Sequence, residues 1–255
     1  MEKIAIYSLK KDELYEEVSE IVRRNSFSLT EENPDIVIAL GGDGTLLRAV
    51  HYYLNQLDNI KFIGINAGTL GYLMQFSKED LDNILKNRLF DAEQYSLIEC
   101  LVKKEAEEKT LFAVNEFRFE NPFHTMIADV YINNSHLEKF RGNGLVISSS
   151  LGSSAYNKSL GGAVVDSSLE VLELTEIAAI ENNVYRSLGS SLVLSKEKEI
   201  SLDVDFKYVI VGYDHESLPL VGVESILVKL SDKKLNIISN LNKNNIQILK
   251  GSFIK

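Results

Sequence analysis

The chain has a single cysteine, Cys100, so no disulfide can form within it. Its four histidines are scattered, and with the cysteine they give no zinc-ligand spacing. This usage suits a reducing compartment, and a cytoplasmic protein is expected. The first residues, Met1-Glu2-Lys3-Ile4-Ala5-Ile6-Tyr7, lack the basic start and long apolar core of a secretory signal. Long hydrophobic runs are missing as well. Stretches such as Ile36 to Leu40 are far too short to cross a bilayer, so no membrane partner is expected. Positive charge is not in excess. A formal net charge of −10 speaks against nucleic acid as a partner, although a local site can still oppose the global field and hold a small anion. Repeats and low-complexity linkers are also absent.

What is present is an ordinary globular composition. With 255 residues, 45% of them hydrophobic, the chain can bury a core without a disulfide or metal staple. Ile4 to Ser8 reads as a buried strand, and Asp12 to Asn25 as a helix with Leu14, Val18, Ile21 and Val22 on one face. After the Asn33-Pro34-Asp35 turn, Asp35 to Leu40 is a β-branched run fit for a strand buried on both faces. Thr45 to Leu57 reads as a helix, Lys61 to Ile65 as a strand, and Ser77 to Leu85 as a helix with Ser77 as its N-cap. Such alternation predicts a parallel, Rossmann-like sheet over the first 95 residues. From Ser96 onward the pattern changes to short strands: 97–103, 111–114, 128–133, 145–148, 191–194, 208–213 and 226–230. That spacing predicts an antiparallel, sandwich-like second domain, interrupted by one helix over Ser168 to Ile180.

Between the second strand and its helix lies Gly41-Gly42-Asp43-Gly44-Thr45. Glycines let backbone N–H groups approach an anion, and a following helix N-terminus adds free donors. Asp43 is the odd member. Beside phosphates a carboxylate is repelled unless it binds Mg²⁺ or takes a proton from an attacking hydroxyl. By itself the turn is equally compatible with a plain βα connection. It matches neither the Walker-A pattern nor the G-x-G-x-x-G fingerprint, so a nucleotide here is held in another way. Arg48, one turn into the helix, reaches a phosphate or is simply an exposed helix arginine.

A second glycine cluster, Gly64 to Tyr72, also follows a strand and is expected at the same sheet edge. Asn115-Glu116 suits a base or ribose, although for the pair alone a solvated strand end is the better-supported reading. Arg141 to Gly162 is the least ordinary stretch: small hydroxyl residues and glycines surround Tyr156, which can stack on a base, and Lys158.

These four segments, in this order and spacing, resemble the NAD kinase family, its bacterial and archaeal-type members in particular, over nearly the whole chain. The resemblance implies an α/β N-terminal Rossmann-like nucleotide domain plus an all-β sandwich-like C-terminal domain, with the C-terminal tail returning to the first. The domains are then 1–95 with 232–255, and 96–231. It implies transfer of the γ-phosphoryl of ATP, or of polyphosphate, to the adenosine ribose 2′-hydroxyl of NAD. A divalent cation such as Mg²⁺ or Mn²⁺ is carried mainly by the donor phosphates, and the assembly is a homodimer or homotetramer. By position, Asp43 is the proton acceptor and Gly44 binds nucleotide beside it. Asn115 and Glu116 are the NAD-binding pair. Arg141 and Asn143 fall on an Arg-x-Asp element, with Asn in place of the family's usual Asp. Ser154, Ala155, Tyr156, Asn157, Lys158 and Ser159 are the segment that wraps the dinucleotide. Ala178 lines the same pocket, and Asp214-His215 is the late turn near it. Two other classes share some of these features: a lipid or sugar kinase with the same glycine turn, and a catalytically idle dinucleotide-binding regulator. Asp43→Asn is expected to abolish activity with little change in stability.

Overall fold

The computed structural model describes residues 2–68, 71–105, 107–239 and 245–253. The chain forms two compact units, Met1–Tyr95 with Lys233–Lys255, and Ser96–Asp232.

The first unit opens with β1 (Lys3–Ser8), α1 (Glu13–Arg24), β2 (Ser28–Leu29), β3 (Ile36–Gly41), α2 (Asp43–Tyr52), β4 (Lys61–Asn66) and α3 (Lys78–Asn87). Its strands lie parallel in the order β2-β1-β3-β4. Ile36 to Ala39 are all nearly inaccessible, as a central parallel strand requires. Asp12 caps α1 by accepting the N–H of Tyr15, and Val18, Ile21 and Val22 face the core. Ser77 and Asp80 form a reciprocal capping box at the start of α3. The helix expected as far as Leu57 stops at Tyr52, and a 3-10 turn follows over Leu54–Asn59. Asn55, Asp58 and Asn59 lie in that turn, and their short polar side chains compete with helical backbone bonds.

The chain continues through β5 (Ala92–Lys104), β6 (Glu107–Ala113), β7 (Glu116–Glu120), β8 (Met126–Ile132), β9 (Ser135–Gly142) and β10 (Gly144–Ser149). Then come the one-turn helix α4 (Tyr156–Ser159), β11 (Val171–Ile177), β12 (Leu192–Ser195), β13 (Ile200–Val204), β14 (Ile210–Tyr213), β15 (Glu216–Pro219), β16 (Val223–Ile238) and α5 (Asn245–Phe253). In the second unit, six antiparallel strands run β12-β11-β10-β7-β14-β15. A second antiparallel group runs from the start of β16 through β13 and β8 to β9. One core cluster joins the two layers: Phe117, Phe119, Leu145 and Leu174 come from the first, Val130, Phe140 and Leu202 from the second. This is a β-sandwich.

The helix expected over Ser168 to Ile180 is wrong. Val171–Ile177 is β11, paired with β10 on one side and β12 on the other. Leu172 and Leu174 point into the sandwich core, and Glu173 and Thr175 alternate with them. Strands β7, β9, β13 and β15 add to the strands expected from sequence.

The end of β16 belongs to the first unit. Asn236 and Ile237 pair in parallel with Lys61 and Phe62 of β4, and Ile238 joins that unit's core. Asn236 also accepts from Gln94 and donates to the carbonyls of Leu57 and Ile60. The chain thus returns to add a parallel strand beside β4. Of the segment expected to fold back, residues 240–244 and 254–255 lie outside the described residues.

Candidate active site

In the first unit, β1, β3 and β4 end together at Ser8, Gly41 and Asn66. At that edge is a cavity of about 560 Å³, lined by Ser8, Lys10, Gly41, Gly42, Thr45 and Gly68 among others. Carboxyl ends of parallel strands are where open α/β sheets bind ligands. Gly41 has φ 153°, and a side chain there would collide with the Thr45 hydroxyl. A Cβ at Gly42 or Gly44 would meet nothing within 4 Å, so the turn has open space beside its backbone.

Asp43 opens α2 and ties the two glycine segments together. Its Oδ1 accepts the N–H groups of Leu73 (3.0 Å) and Met74 (3.1 Å), and its Oδ2 accepts that of Tyr72 (3.0 Å). Gly71 makes this possible, because a Cβ there would lie 2.3 Å from Oδ1. The end of the second cluster, with Leu73 and Met74 just after it, is therefore the clamp that fixes the first cluster's carboxylate; Thr69 and Leu70 lie outside the described residues. These three bonds argue against the expectation that Asp43→Asn costs little stability. An asparagine has one acceptor oxygen, and its amide group would face an N–H donor. Arg48 stands exposed on α2. Lys10 was not anticipated, and its one sequence signal is its place just past the end of β1.

In the second unit, Asn115 and Glu116 are not a solvated strand end. Glu116 begins β7, in the middle of the six-stranded sheet, and is 5% exposed. Asp214, held at φ 48°, accepts the N–H groups of Val114 and Asn115, both at 2.8 Å. The late turn thereby fixes the Asn115-Glu116 backbone, with His215 beside it, 3.2 Å from Glu216. Burial, and then the neighbouring Asp214 charge, push the Glu116 carboxyl up to about 7; Arg118 pulls the other way. Arg118 is a weak counter-ion. Its Nε lies 3.9 Å from Glu116 Oε1, and among the described residues neither that Nε nor Glu116 Oε2 has a hydrogen-bond partner. Burial outweighs this ion pair, because 3.9 Å is too long for a hydrogen bond.

The guanidinium of Arg118 also sits 5.5 Å from the ring centre of Tyr156. Asn115, Glu116, Tyr156 and His215 are thus linked through Arg118 and Asp214. Sequence reasoning missed Arg118; the alternation Glu116-Phe117-Arg118-Phe119-Glu120, with both phenylalanines in the core, is the signal that marks it. Around Tyr156, the Ser154 hydroxyl donates to the Leu151 carbonyl, and the Ala155 N–H donates to Gly152. Asn157 is buried, whereas Lys158 and Ser159 are exposed.

The other expected residues fall elsewhere in the unit. Arg141 stacks on Tyr185 at 4.3 Å, Asn143 is exposed, and Ala178 follows β11 at φ 47°. Among the described residues no three His, Cys, Asp or Glu side chains gather as a metal site. No described helix is long and apolar enough to cross a membrane.

A parallel nucleotide-type sheet with a glycine turn, followed by a β-sandwich, defines a two-domain kinase architecture. A family model for the ATP-NAD kinase N-terminal domain matches residues 6–93, and one for the ATP-NAD kinase C-terminal domain matches residues 117–240. The NAD kinase of Streptococcus pneumoniae (strain 70585) is 40% identical over 228 residues, covering 88% of this chain and 84% of that protein. The chain belongs to the NAD kinase family, and its activity is that of an NAD kinase. Two solved structures share the fold. The NAD kinase from Archaeoglobus fulgidus, in complex with ATP, has a TM-score of 0.79 at 24% identity over 95% of both chains. Yeast NADH kinase, complexed with NADH, has a TM-score of 0.81 at 18% identity, covering 98% of this chain and 86% of that one.

Proposed function

We propose that the protein transfers the γ-phosphoryl of ATP to the 2′-hydroxyl of the adenosine ribose of NAD, with Asp43 accepting the hydroxyl proton. The observation that carries this reading is the clamp on Asp43. Three backbone N–H groups hold the carboxylate still, in a turn whose Gly41, Gly42 and Thr45 line the cavity. Its Oδ2 takes one of these bonds and so keeps capacity to accept a hydroxyl proton. Phosphoryl transfer depends mainly on positioning and electrostatics, and a fixed carboxylate serves the first. Free N–H groups at the start of α2 and the Lys10 ammonium supply positive potential for donor phosphates. The residues fit a metal that arrives on those phosphates better than one held by a side-chain cluster, and the cation would neutralise charge there.

Tyr156, backed by Arg118, offers a stacking face for the NAD base. Glu116 Oε2, buried and without a partner among the described residues, is suited to a ribose hydroxyl or an amide. Gly44, Arg48, Asn115, Ser154 to Ser159, Ala178 and His215 complete the proposed contacts. By the family resemblance, Arg141 and Asn143 belong to an element that meets a second copy, and a homodimer or homotetramer is proposed; a cytoplasmic location is proposed separately from it. Purified protein with NAD, ATP and Mg²⁺ is expected to form NADP. Absence of NADP from folded protein, with ATP or polyphosphate, would overturn the proposal. Diacylglycerol and fructose 6-phosphate as alternative acceptors test the lipid and sugar kinases.

A further inference from the structure

Glu173 is an acidic residue with 1% exposure on a central strand of the sandwich. Such a side chain needs several hydrogen bonds to be tolerated. Its Oε2 accepts from Asn157 Nδ2 at 2.8 Å, and its Oε1 accepts the Ala163 N–H at 2.7 Å. The Ser191 hydroxyl, itself bonded to Thr175 at 2.7 Å, lies near enough to favour the charged form. Even so, burial holds the carboxyl above the usual carboxylate range.

These partners bracket the segment that carries Tyr156. Helix α4 is one turn long, Ala155 provides no side-chain cap, and a four-residue helix has almost no stability of its own. Asn157 is the main tie that closes the segment, beside a Gly161 N–H to Lys158 carbonyl bond. Its carbonyl accepts the N–H groups of Leu160 and Gly162, and its amide fills the space that a Cβ on Gly162 would need, 2.2 Å from Nδ2. Asn157 is fully buried, and its Oδ1 has no partner among the described residues. The bond to Glu173 therefore sets the amide's orientation. Tyr156 precedes Asn157 directly and places its ring against Arg118.

We infer that Glu173 is a positioning residue that holds the Tyr156–Ser159 turn in its substrate-ready shape through Asn157 and Ala163. It acts from behind the turn, without touching substrate. The inference rests on the proposed role of Tyr156 in holding NAD, and it adds a dependence specific to one substrate: losing Glu173 weakens NAD and leaves ATP alone.

Three variants separate hydrogen bonding from packing. Glu173→Leu keeps the bulk and removes every acceptor. Glu173→Ala removes both. Glu173→Gln keeps one oxygen for the Ala163 N–H, while a flipped Asn157 amide turns its unpartnered Oδ1 towards the new NH₂ group. In steady-state assays, Glu173→Leu and Glu173→Ala are expected to raise the KM for NAD roughly tenfold or more, with the KM for ATP within about twofold of wild type. Glu173→Gln should stay within about threefold for both substrates. An unchanged KM for NAD in folded Glu173→Leu would overturn the inference, and so would a kcat loss with neither KM altered. Should both apolar variants fail to fold, Ser191→Ala removes a hydroxyl beside the carboxylate along with its 2.7 Å bond to Thr175. It is expected to raise the KM for NAD about threefold, whereas Thr175→Val, which loses only the Thr175–Ser191 bond, should not; no difference between the two would also overturn it. A wild-type protein that makes no NADP would instead sink the kinase reading itself.

Discussion

Asp43 and Glu116 are both carboxylates at the start of a regular element, and the protein treats them in opposite ways. Asp43 receives three backbone N–H groups from one short segment. Glu116 is almost fully buried, has a like charge nearby in Asp214, and finds only a long contact to Arg118. The first is finished by the protein's own backbone. The second leaves a polar demand unmet among the described residues, and unmet demands in a folded protein mark where a ligand completes the structure. A reactive group must hold one position, whereas a recognition group gains selectivity when its bond is made only on binding.

The comparison breaks most visibly at Asp43. Asp43→Asn should lower NADP formation by roughly a thousandfold or more and destabilise the protein by about 1–3 kcal/mol through the unmatched N–H donors. Thermal melts alongside product assays check both effects. A variant as stable as wild type would mean that the clamp contributes nothing to folding.

At Glu116 the sign of the stability effect reverses. Its folded pKa of about 7 lies above its ordinary value of 4.5. A raised carboxyl contributes stability that is fully present below the unfolded value and is lost as pH rises through the folded one. Wild-type stability should therefore fall across this window. Glu116→Gln should remove that fall and gain up to about 3 kcal/mol relative to wild type at about pH 8, compared with about pH 4. Denaturant titrations across this range test it. The same variant should bind NAD more weakly, so recognition and stability would oppose each other at this residue, as they do not at Asp43.

Much of the first unit was legible because its signals are local. A β-branched run, two glycine clusters and a capping serine each act within a few residues. What joined the clusters was not legible, because the three N–H donors to Asp43 lie 29 to 31 positions away in sequence. The second unit was harder for the same reason. Residues Val171–Ile177 carry acids and aliphatics whose spacing fits either a helix or a strand, and pairing with β10 and β12 decides the matter. Arg118 and Glu173 each sit on a strand face opposite the core, so their partners come from sheet register and loop closure.

Arg118 gives a smaller test of the same contrast. Arg118→Met keeps an unbranched stem and removes the charge over Tyr156. It should raise the KM for NAD about fivefold, as loss of one cation–π contact of roughly 1 kcal/mol implies. It should also lift the Glu116 carboxyl further, because the one group pulling it down is gone. A stability profile steeper above neutral pH than that of wild type is the check.

The smallest effect is expected at Ala178. At φ 47° this residue occupies left-handed backbone that costs a non-glycine residue roughly 1–2 kcal/mol. Glycine relieves that strain but adds roughly 0.4–1 kcal/mol of unfolded-state entropy, so Ala178→Gly should gain about 1 kcal/mol or less in denaturant midpoint measurements. Its value lies in the second readout. If the methyl group lines the NAD pocket, the more stable variant should show a higher KM for NAD, because strain kept at a contact surface serves the ligand. An unchanged KM would remove Ala178 from the site and leave recognition to the cluster around Glu116 and Tyr156.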